Sequence, residues 1–148
     1  MRTKLVVVAV ACLLLLVSAC GKQDAKNKEK MLGKWTVDVD RTIETLKKTP
    51  RYLALTEEQK KQVPEIVSKI TSQAVMEITT DSIITSLRDQ KAVTQFTVAK
   101  TEDNAVELES KGKDGKTYHI TVNFLTPDVI QFSCPEAPEL SNNVWKRT

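Results

Sequence analysis

Few side chains in this sequence are reactive enough for catalysis, and the most reactive are the thiols of Cys20 and Cys134 and the single imidazole, His119. A thiolate is a strong nucleophile, and an adjacent imidazole commonly activates it. Apolar and polar residues alternate around both His119 and Cys134, which predicts strands with two opposite faces. His119 then faces solvent, opposite Tyr118, whereas Cys134 shares the inner face with Phe132. We therefore expect Cys134 to be a core residue rather than a nucleophile.

No other residue pattern points to catalysis or to a metal site. The chain has no second histidine, and no thiol or carboxylate is spaced to share a metal with His119. The carboxylates fall at helix caps, turns and exposed strand positions, where nothing would separate two pKa values for acid–base work. Glycine-rich phosphate loops are also absent from the sequence. We therefore predict no enzymatic activity, no metal and no cofactor, and a hydrolase is kept only as an alternative.

Cys20 ends a segment that has the three parts of a secretory signal peptide. Residues 1–4 carry two positive charges, Leu5–Val17 is a continuous apolar run, and two small residues precede the cysteine. The apolar run is shorter than the about 20 residues that a membrane-spanning helix needs. The pattern therefore predicts that this segment directs export and is then removed.

The sequence Val-Ser-Ala-Cys at 17–20 resembles the lipobox of bacterial lipoproteins, in which an aliphatic residue and two small residues precede a cysteine. The resemblance implies that the Cys20 thiol receives a diacylglyceryl group, that residues 1–19 are cleaved off, and that the new α-amino group is acylated. Two or three chains such as palmitate would make the attachment permanent, because each buried CH₂ contributes about 0.8 kcal/mol. The alternative is a plain signal peptide in which Cys20 occurs by chance.

The same resemblance implies where the protein is located. A lipid on Cys20 would make the membrane its first partner and place the chain in the cell envelope. Gly21 rather than aspartate follows the cysteine, which in bacteria with two membranes resembles sorting to the outer membrane. We therefore expect the periplasmic face of the outer membrane if the source has two membranes.

Composition excludes some partners. The precursor has 22 Lys and Arg residues against 19 Asp and Glu residues, and two of the basic residues, Arg2 and Lys4, leave with the signal segment. The mature chain is then close to neutral and has no basic stripe, which argues against nucleic-acid binding. Cys134 is left without a thiol partner, so no intrachain disulfide is expected and the fold must depend on its apolar core.

The mature chain divides into a spacer and one domain. Residues 20–30 include four lysines and no large apolar residue. Such a segment cannot bury enough apolar surface to offset its ordering entropy. We therefore predict a polar tether at 20–30 and a single α+β domain at 31–148, whose length suits one modest core.

A strand and two helices are predicted at the start of this domain. Trp35, Val37 and Val39 alternate with polar residues, which indicates the first strand. Asp40 is a plausible N-cap for a helix at 41–48, and the sequence at 56–59 matches a capping box for a second helix that runs to about residue 73. Pro64 lies inside the second helix and predicts a kink or two abutting helices. The apolar stripe of this helix is expected to cover the open end or concave face of the sheet.

The rest of the chain reads as strands joined by polar turns. The apolar period changes to two after residue 74, and an Asp-Gly pair at 114–115 is a strong hairpin signal. The predicted strands cover 75–79, 83–87, 93–99, 105–110, 117–125, 129–134 and 143–147. Together with the first strand they predict an antiparallel meander of about seven to eight strands, as a curved sheet or small barrel. The predicted fold is therefore α+β, with two helices inserted after the first strand.

The Gly-Lys-Trp sequence at 33–35 and the Trp-Lys-Arg sequence at 145–147 resemble those of the lipocalin-like group of small barrels. In lipocalins a Gly-x-Trp motif opens the first strand, and a basic residue late in the chain packs on that tryptophan. The resemblance implies that Arg147, or Lys146 in its place, packs on Trp35. The helices after the first strand and the lack of a long C-terminal helix depart from the lipocalin pattern. The whole layout is also similar to small bacterial lipoproteins of no assigned activity.

Two hypotheses of function follow besides the hydrolase. The first is a lipid-anchored envelope protein whose non-enzymatic domain binds a protein partner or has a structural role. The second is a carrier of a small apolar ligand in a lipocalin-like cavity, since an eight-stranded barrel either is filled by side chains or holds one small ligand. Trp35 and Trp145 are the candidate ligand-binding residues, although we expect both to fill a small core, and lining of a cavity is the alternative role. The oligomeric state and the identity of the ligand stay open.

Overall fold

The structure, a computed structural model, describes residues 26–148. Its architecture is α+β, with a single antiparallel sheet that curves into a nearly closed barrel. Nine strands lie in the described part of the chain, so the prediction of seven to eight was too low. The predicted signal peptide at 1–19 and the lipidation site at Cys20 lie outside the described residues.

The elements follow one another in a simple order. Helix α1 occupies 26–31 within the described residues and precedes the barrel. The later helices are α2 (Val39–Leu46), α3 (Pro50–Leu53) and α4 (Glu57–Thr71). The strands are β1 (Gly33–Val37), β2 (Ala74–Ile78), β3 (Ser82–Leu87), β4 (Gln90–Gln95), β5 (Thr97–Glu102), β6 (Ala105–Lys111), β7 (Thr117–Thr126), β8 (Val129–Ser133) and β9 (Val144–Arg147). A 3₁₀ turn at Pro138–Asn142 joins the last two strands.

The ninth strand arises where the extended chain changes partner. The single strand predicted at 93–99 is two strands, β4 and β5, which flank Phe96. β4 pairs with β3, whereas β5 pairs with β6 at the other end of the sheet order. The Phe96 N–H donates to the Asp81 carbonyl oxygen at 2.8 Å. Apolar alternation continues through this point, so the sequence pattern did not reveal the change of partner that nearly closes the barrel.

Three helices, not the predicted two, lie between β1 and β2. The first of them is capped by Asp38, two residues before the predicted cap Asp40, and the Asp38 carboxylate accepts from the Arg41 N–H at 3.2 Å. The capping box of α4 is confirmed, since the Thr56 and Gln59 side chains each accept from the other's backbone N–H. Helix α4 is continuous through Pro64, which contradicts the alternative of two abutting helices.

Helix α2 packs on the barrel and α4 packs on α2. The buried Thr42 hydroxyl accepts from the Val144 N–H at 3.0 Å, which joins α2 to β9. No residue of α4 is buried, and Ile66 and Ile70 on its apolar stripe are half exposed. The expectation that this stripe covers the open end of the sheet is therefore wrong. Among the described residues, no helix is both long and apolar enough to cross a membrane.

Candidate functional site

One end of the barrel is closed by α1. The Asn27 side chain is buried and donates to the carbonyl oxygen of Glu102, the last residue of β5, at 2.6 Å. Met31, at the other end of the described helix, is fully buried in the core. The last five residues of the predicted tether at 20–30 are thus helical and in contact with the barrel. Sequence reasoning missed this contact because Asn27 satisfies distant backbone groups and carries no apolar signal.

Two side chains satisfy the carbonyl groups at the C-terminal end of α1. The Trp35 indole N–H donates to the Met31 carbonyl oxygen at 3.0 Å. The Arg147 guanidinium donates to the carbonyl oxygens of Leu32 and Lys30, at 2.9 and 2.5 Å. These groups have no partner within a helix, so side-chain donors are what a buried helix end requires.

Arg147 also lies over the Trp35 ring, with the guanidinium carbon 4.4 Å from the ring centroid. This is the cation–π geometry, and it confirms the contact that the lipocalin resemblance implied for this pair. Gly33 has a φ of +122°, and a Cβ at this position would lie 3.0 Å from an Arg147 nitrogen. The Gly-x-Trp sequence therefore combines a left-handed backbone with space for the arginine.

In the half of the barrel nearest α1, side chains fill the interior. Side chains from five strands meet there and are almost completely inaccessible: Trp35, Ile78, Val106, Val122 and Ile130. Protein interiors pack to nearly crystalline density, and this half of the barrel follows that rule. These residues belong to the same hydrophobic core as the apolar residues of the cavity wall.

The other half of the barrel contains a cavity of about 1100 Å³ that opens at the opposite end from α1. Its inner wall is mainly apolar: Met76, Ile83, Ile120, Phe132, Cys134 and Trp145 line it. The volume is slightly larger than the roughly 300–1,000 Å³ of typical small-molecule sites. None of the described residues of α4 reaches this wall, so the cavity is not plugged by that helix.

The mouth of the cavity extends into a slot between β4 and the β6–β7 hairpin. Five consecutive residues of β4, 91–95, border the cavity, together with 110–114 from the hairpin. Successive residues of a strand point to opposite faces, so a strand that borders a space with both faces must form its edge. The Lys91, Lys111 and Lys113 side chains belong to this rim.

The two candidate tryptophans occupy different halves of the barrel. Trp145 lines the cavity, beside Ile130 of β8 in the strand register. Trp35 is fully buried at the closed end and does not border the cavity. The geometry therefore assigns Trp35 to the core and leaves Trp145 as the tryptophan that a ligand would contact.

His119 and Cys134 face opposite sides of the sheet, as their strand positions predicted, but Glu136 contacts both. Its carboxylate lies 2.7 Å from His119 Nδ1, and its second oxygen accepts from the Cys134 thiol at 3.5 Å. The Glu136 contact holds the pKa of His119 above its ordinary value of 6.5, and the pKa of Glu136 falls to about 2. Burial raises the pKa of the Cys134 thiol.

This arrangement does not activate a thiol. The imidazole does not contact the sulfur, because the Glu136 carboxylate lies between them, and a carboxylate with a pKa of about 2 is too weak a base to activate a thiol. The strand register could have located Glu136, because Thr121 pairs with Ser133 and His119 therefore lies across from the residues just beyond β8. Within 26–148 no group of three or more His, Cys, Asp and Glu side chains is arranged to hold a metal ion.

The sequence and the structure were compared with those of known proteins. No protein-family model, no curated protein and no solved structure matches this chain.

Proposed function

We propose that this protein is a lipid-anchored carrier that binds a small, largely apolar ligand in the cavity of its barrel. The observation that supports this function is the cavity itself, a space of about 1100 Å³ with a mainly apolar inner wall, in a barrel whose other half is packed. Interiors are normally filled by side chains, and an open apolar space of this size suits a ligand. Of the hypotheses drawn from the sequence, the carrier is the one that this geometry favours.

The anchor is proposed from the sequence at 17–20 and the signal-like segment before it. If Cys20 carries the lipid, residues 20–25 separate it from the docked helix α1, a reach of at most about 20 Å for an extended chain. Because α1 covers the closed end, the mouth of the cavity would then face away from the anchoring membrane. The outer membrane remains the proposed location in a two-membrane source.

Native mass spectrometry tests the carrier function. The protein is purified from its native host without removal of bound molecules. We expect a bound molecule that is released by organic solvent and is absent from the variant Thr85→Trp, because Thr85 faces the cavity from β3. Ile84→Trp is the matched control, since Ile84 lies next to it on the other face of the same strand. Equal occupancy of the two variants, or an empty wild-type protein that takes up no apolar probe, would overturn the carrier function.

The mass of the mature chain tests the anchor. We expect an N-terminal Cys20 with added acyl groups, and release of the Cys20→Ala variant from the membrane fraction. A mature N-terminus at another residue, or a membrane association that this substitution leaves unchanged, would contradict lipid anchoring. This result is independent of ligand binding, so the two parts of the proposal are tested separately.

A further inference from the structure

Three lysines at the mouth of the cavity have no acidic partner. Lys91, Lys111 and Lys113 border the opening, and none of them makes an ion pair with another described residue. Like charges held close together repel one another, and an anion placed between them relieves that repulsion. The mouth therefore favours a negatively charged group on whatever enters.

The acidic residue among the cavity-lining residues is already engaged. The Asp114 carboxylate lies 3.7 Å from Lys116 Nζ and accepts from the Lys116 N–H at 3.1 Å and from the Tyr118 hydroxyl at 3.3 Å. These three contacts leave it poorly placed to neutralise the lysines at the rim. A cationic ligand would meet the lysines without a free carboxylate to bind.

The wall nearest the slot also carries hydroxyl groups. Thr85 and Thr94 face the interior, because they pair across the ladder with the buried residues Met76 and Ile83. Ser110 is buried on β6 and borders the same space. All three hydroxyl-bearing residues line the cavity. They are available to a polar group of a ligand just inside the mouth.

The rest of the cavity wall is apolar and aromatic. Ile120, Phe132 and Trp145 project into the cavity from β7, β8 and β9. A ligand that satisfies both parts of the wall has an apolar part for these side chains and a polar part that reaches the slot.

We infer that the cavity binds an amphiphile with an anionic head group, whose apolar tail lies against Phe132 and Trp145 and whose head lies between Lys91, Lys111 and Lys113. The inference rests on the proposed carrier function and specifies its ligand class. The head is a carboxylate or a phosphate, since ammonium groups bind either one as point charges. A fatty acid and an alkyl phosphate both satisfy this description.

Calorimetric titration of the full chain with four probes of equal chain length tests the inference: laurate, lauryl phosphate, lauryl alcohol and laurylamine. We expect laurate or lauryl phosphate to bind more tightly than the alcohol, and the amine to bind most weakly. Affinity for the anions should fall with added salt, because salt screens exposed charges, while affinity for the alcohol should not. The stronger of the two anionic probes identifies the head group.

The variant Lys91→Gln/Lys111→Gln/Lys113→Gln should weaken binding of the anionic probe about tenfold, as the loss of several exposed charge contacts predicts. Binding of lauryl alcohol should be unchanged in this variant. The control Lys26→Gln/Lys34→Gln/Lys146→Gln removes the same charge from exposed positions that do not border the cavity and should keep wild-type affinity.

The outcomes separate the inference from the carrier function. If the alcohol and the anions bind equally and the rim variant changes nothing, the anionic ligand is ruled out while the carrier stands. An affinity loss as large in the control variant would likewise overturn the role of the rim. If none of the probes binds and Thr85→Trp makes no difference to native occupancy, the carrier function itself is overturned.

Discussion

At the closed end of the barrel, Trp35 and Arg147 satisfy the last carbonyl groups of α1, whereas at the open end three lysines border a space of about 1100 Å³. The same sheet builds both ends. The closed half is packed by large side chains that are inaccessible to solvent, such as Trp35 and Ile130. The open half places the same kinds of apolar side chain, also buried, along the wall of the cavity.

The comparison separates residues that stabilise the fold from residues that are available for binding. Interior side chains at the closed end are surrounded by protein on all sides, so their truncation removes contacts outright. Interior side chains at the open end already border empty space and have fewer contacts to lose. Stability should therefore be concentrated at one end and binding at the other.

Truncation of the two tryptophans is the strongest test of this comparison. Trp35→Ala should destabilise the protein by about 3–5 kcal/mol, because it leaves a large void and an unpaired helix end. Trp145→Ala should cost less, since Trp145 borders the cavity. Urea denaturation measures both free energies of unfolding, with Trp35→Phe as a milder variant if Trp35→Ala does not fold. Equal losses for the two alanine variants would contradict the proposed division of the barrel.

Two isoleucines on neighbouring strands test the same comparison with identical chemistry. Ile130→Ala, in the packed half, should cost about 4 kcal/mol, within the range for buried isoleucine. Ile120→Ala, on the cavity wall, should cost about 2 kcal/mol, because part of its surface has no protein neighbour. Thermal and urea unfolding of the two variants measure the difference. A larger loss of unfolding free energy for Ile120→Ala would mean that side chains are packed more tightly at the cavity wall than in the closed half.

Replacement of Arg147 by lysine tests how the helix end is held. Lysine keeps the charge but lacks the planar fork that reaches Lys30 and Leu32 together. We expect Arg147→Lys to lower the free energy of unfolding by about 1–2 kcal/mol, as the loss of a partner for a buried carbonyl group predicts. Lys146→Ala, at the exposed neighbouring position, is the control and should change stability by about 0.5 kcal/mol or less. Equal effects would show that the arginine fork is not required.

The ion pair of His119 and Glu136 should have the smallest effect on stability, and the size of this effect should depend on pH. Because the pKa of His119 is raised in the folded protein, this group stabilises the fold below pH 6.5. The contribution is lost as the pH rises through the pKa that His119 has in the folded state. The lowered pKa of Glu136 stabilises above 4.5, and this contribution is lost as the pH falls towards about 2. The pair therefore contributes most to stability between pH 4.5 and pH 6.5.

Unfolding of the wild type and of Glu136→Gln across this range measures the effect. The stability difference between them should be largest in that window and should shrink at higher pH. Glu109, which pairs with His119 across the ladder and also raises its pKa, supplies the control variant Glu109→Gln, with a smaller change. A difference between wild type and Glu136→Gln that does not vary with pH would contradict the pairing.

Local patterns predicted much of the fold. Alternation located the strands and the inward positions of Phe132 and Cys134, and the Thr56–Gln59 capping box marked the start of α4. These features depend on residues that are near neighbours in the chain, so the sequence shows them directly. The candidate site was harder to predict from the sequence. Trp145 was named as a candidate, whereas the lysines of the rim were not.

By itself, the sequence determined the α+β class and the antiparallel strands, because both follow from periodicity. The lipocalin resemblance implied that Arg147 or Lys146 packs on Trp35, and the structure shows that Arg147 does. The tertiary structure alone decided that β4 and β5 have different partners, that α1 closes one end, and that the other end is hollow. These outcomes depend on backbone groups and side-chain volumes contributed by segments far apart in the chain. The space that remains between them is a property of the assembled barrel, and no local pattern records it.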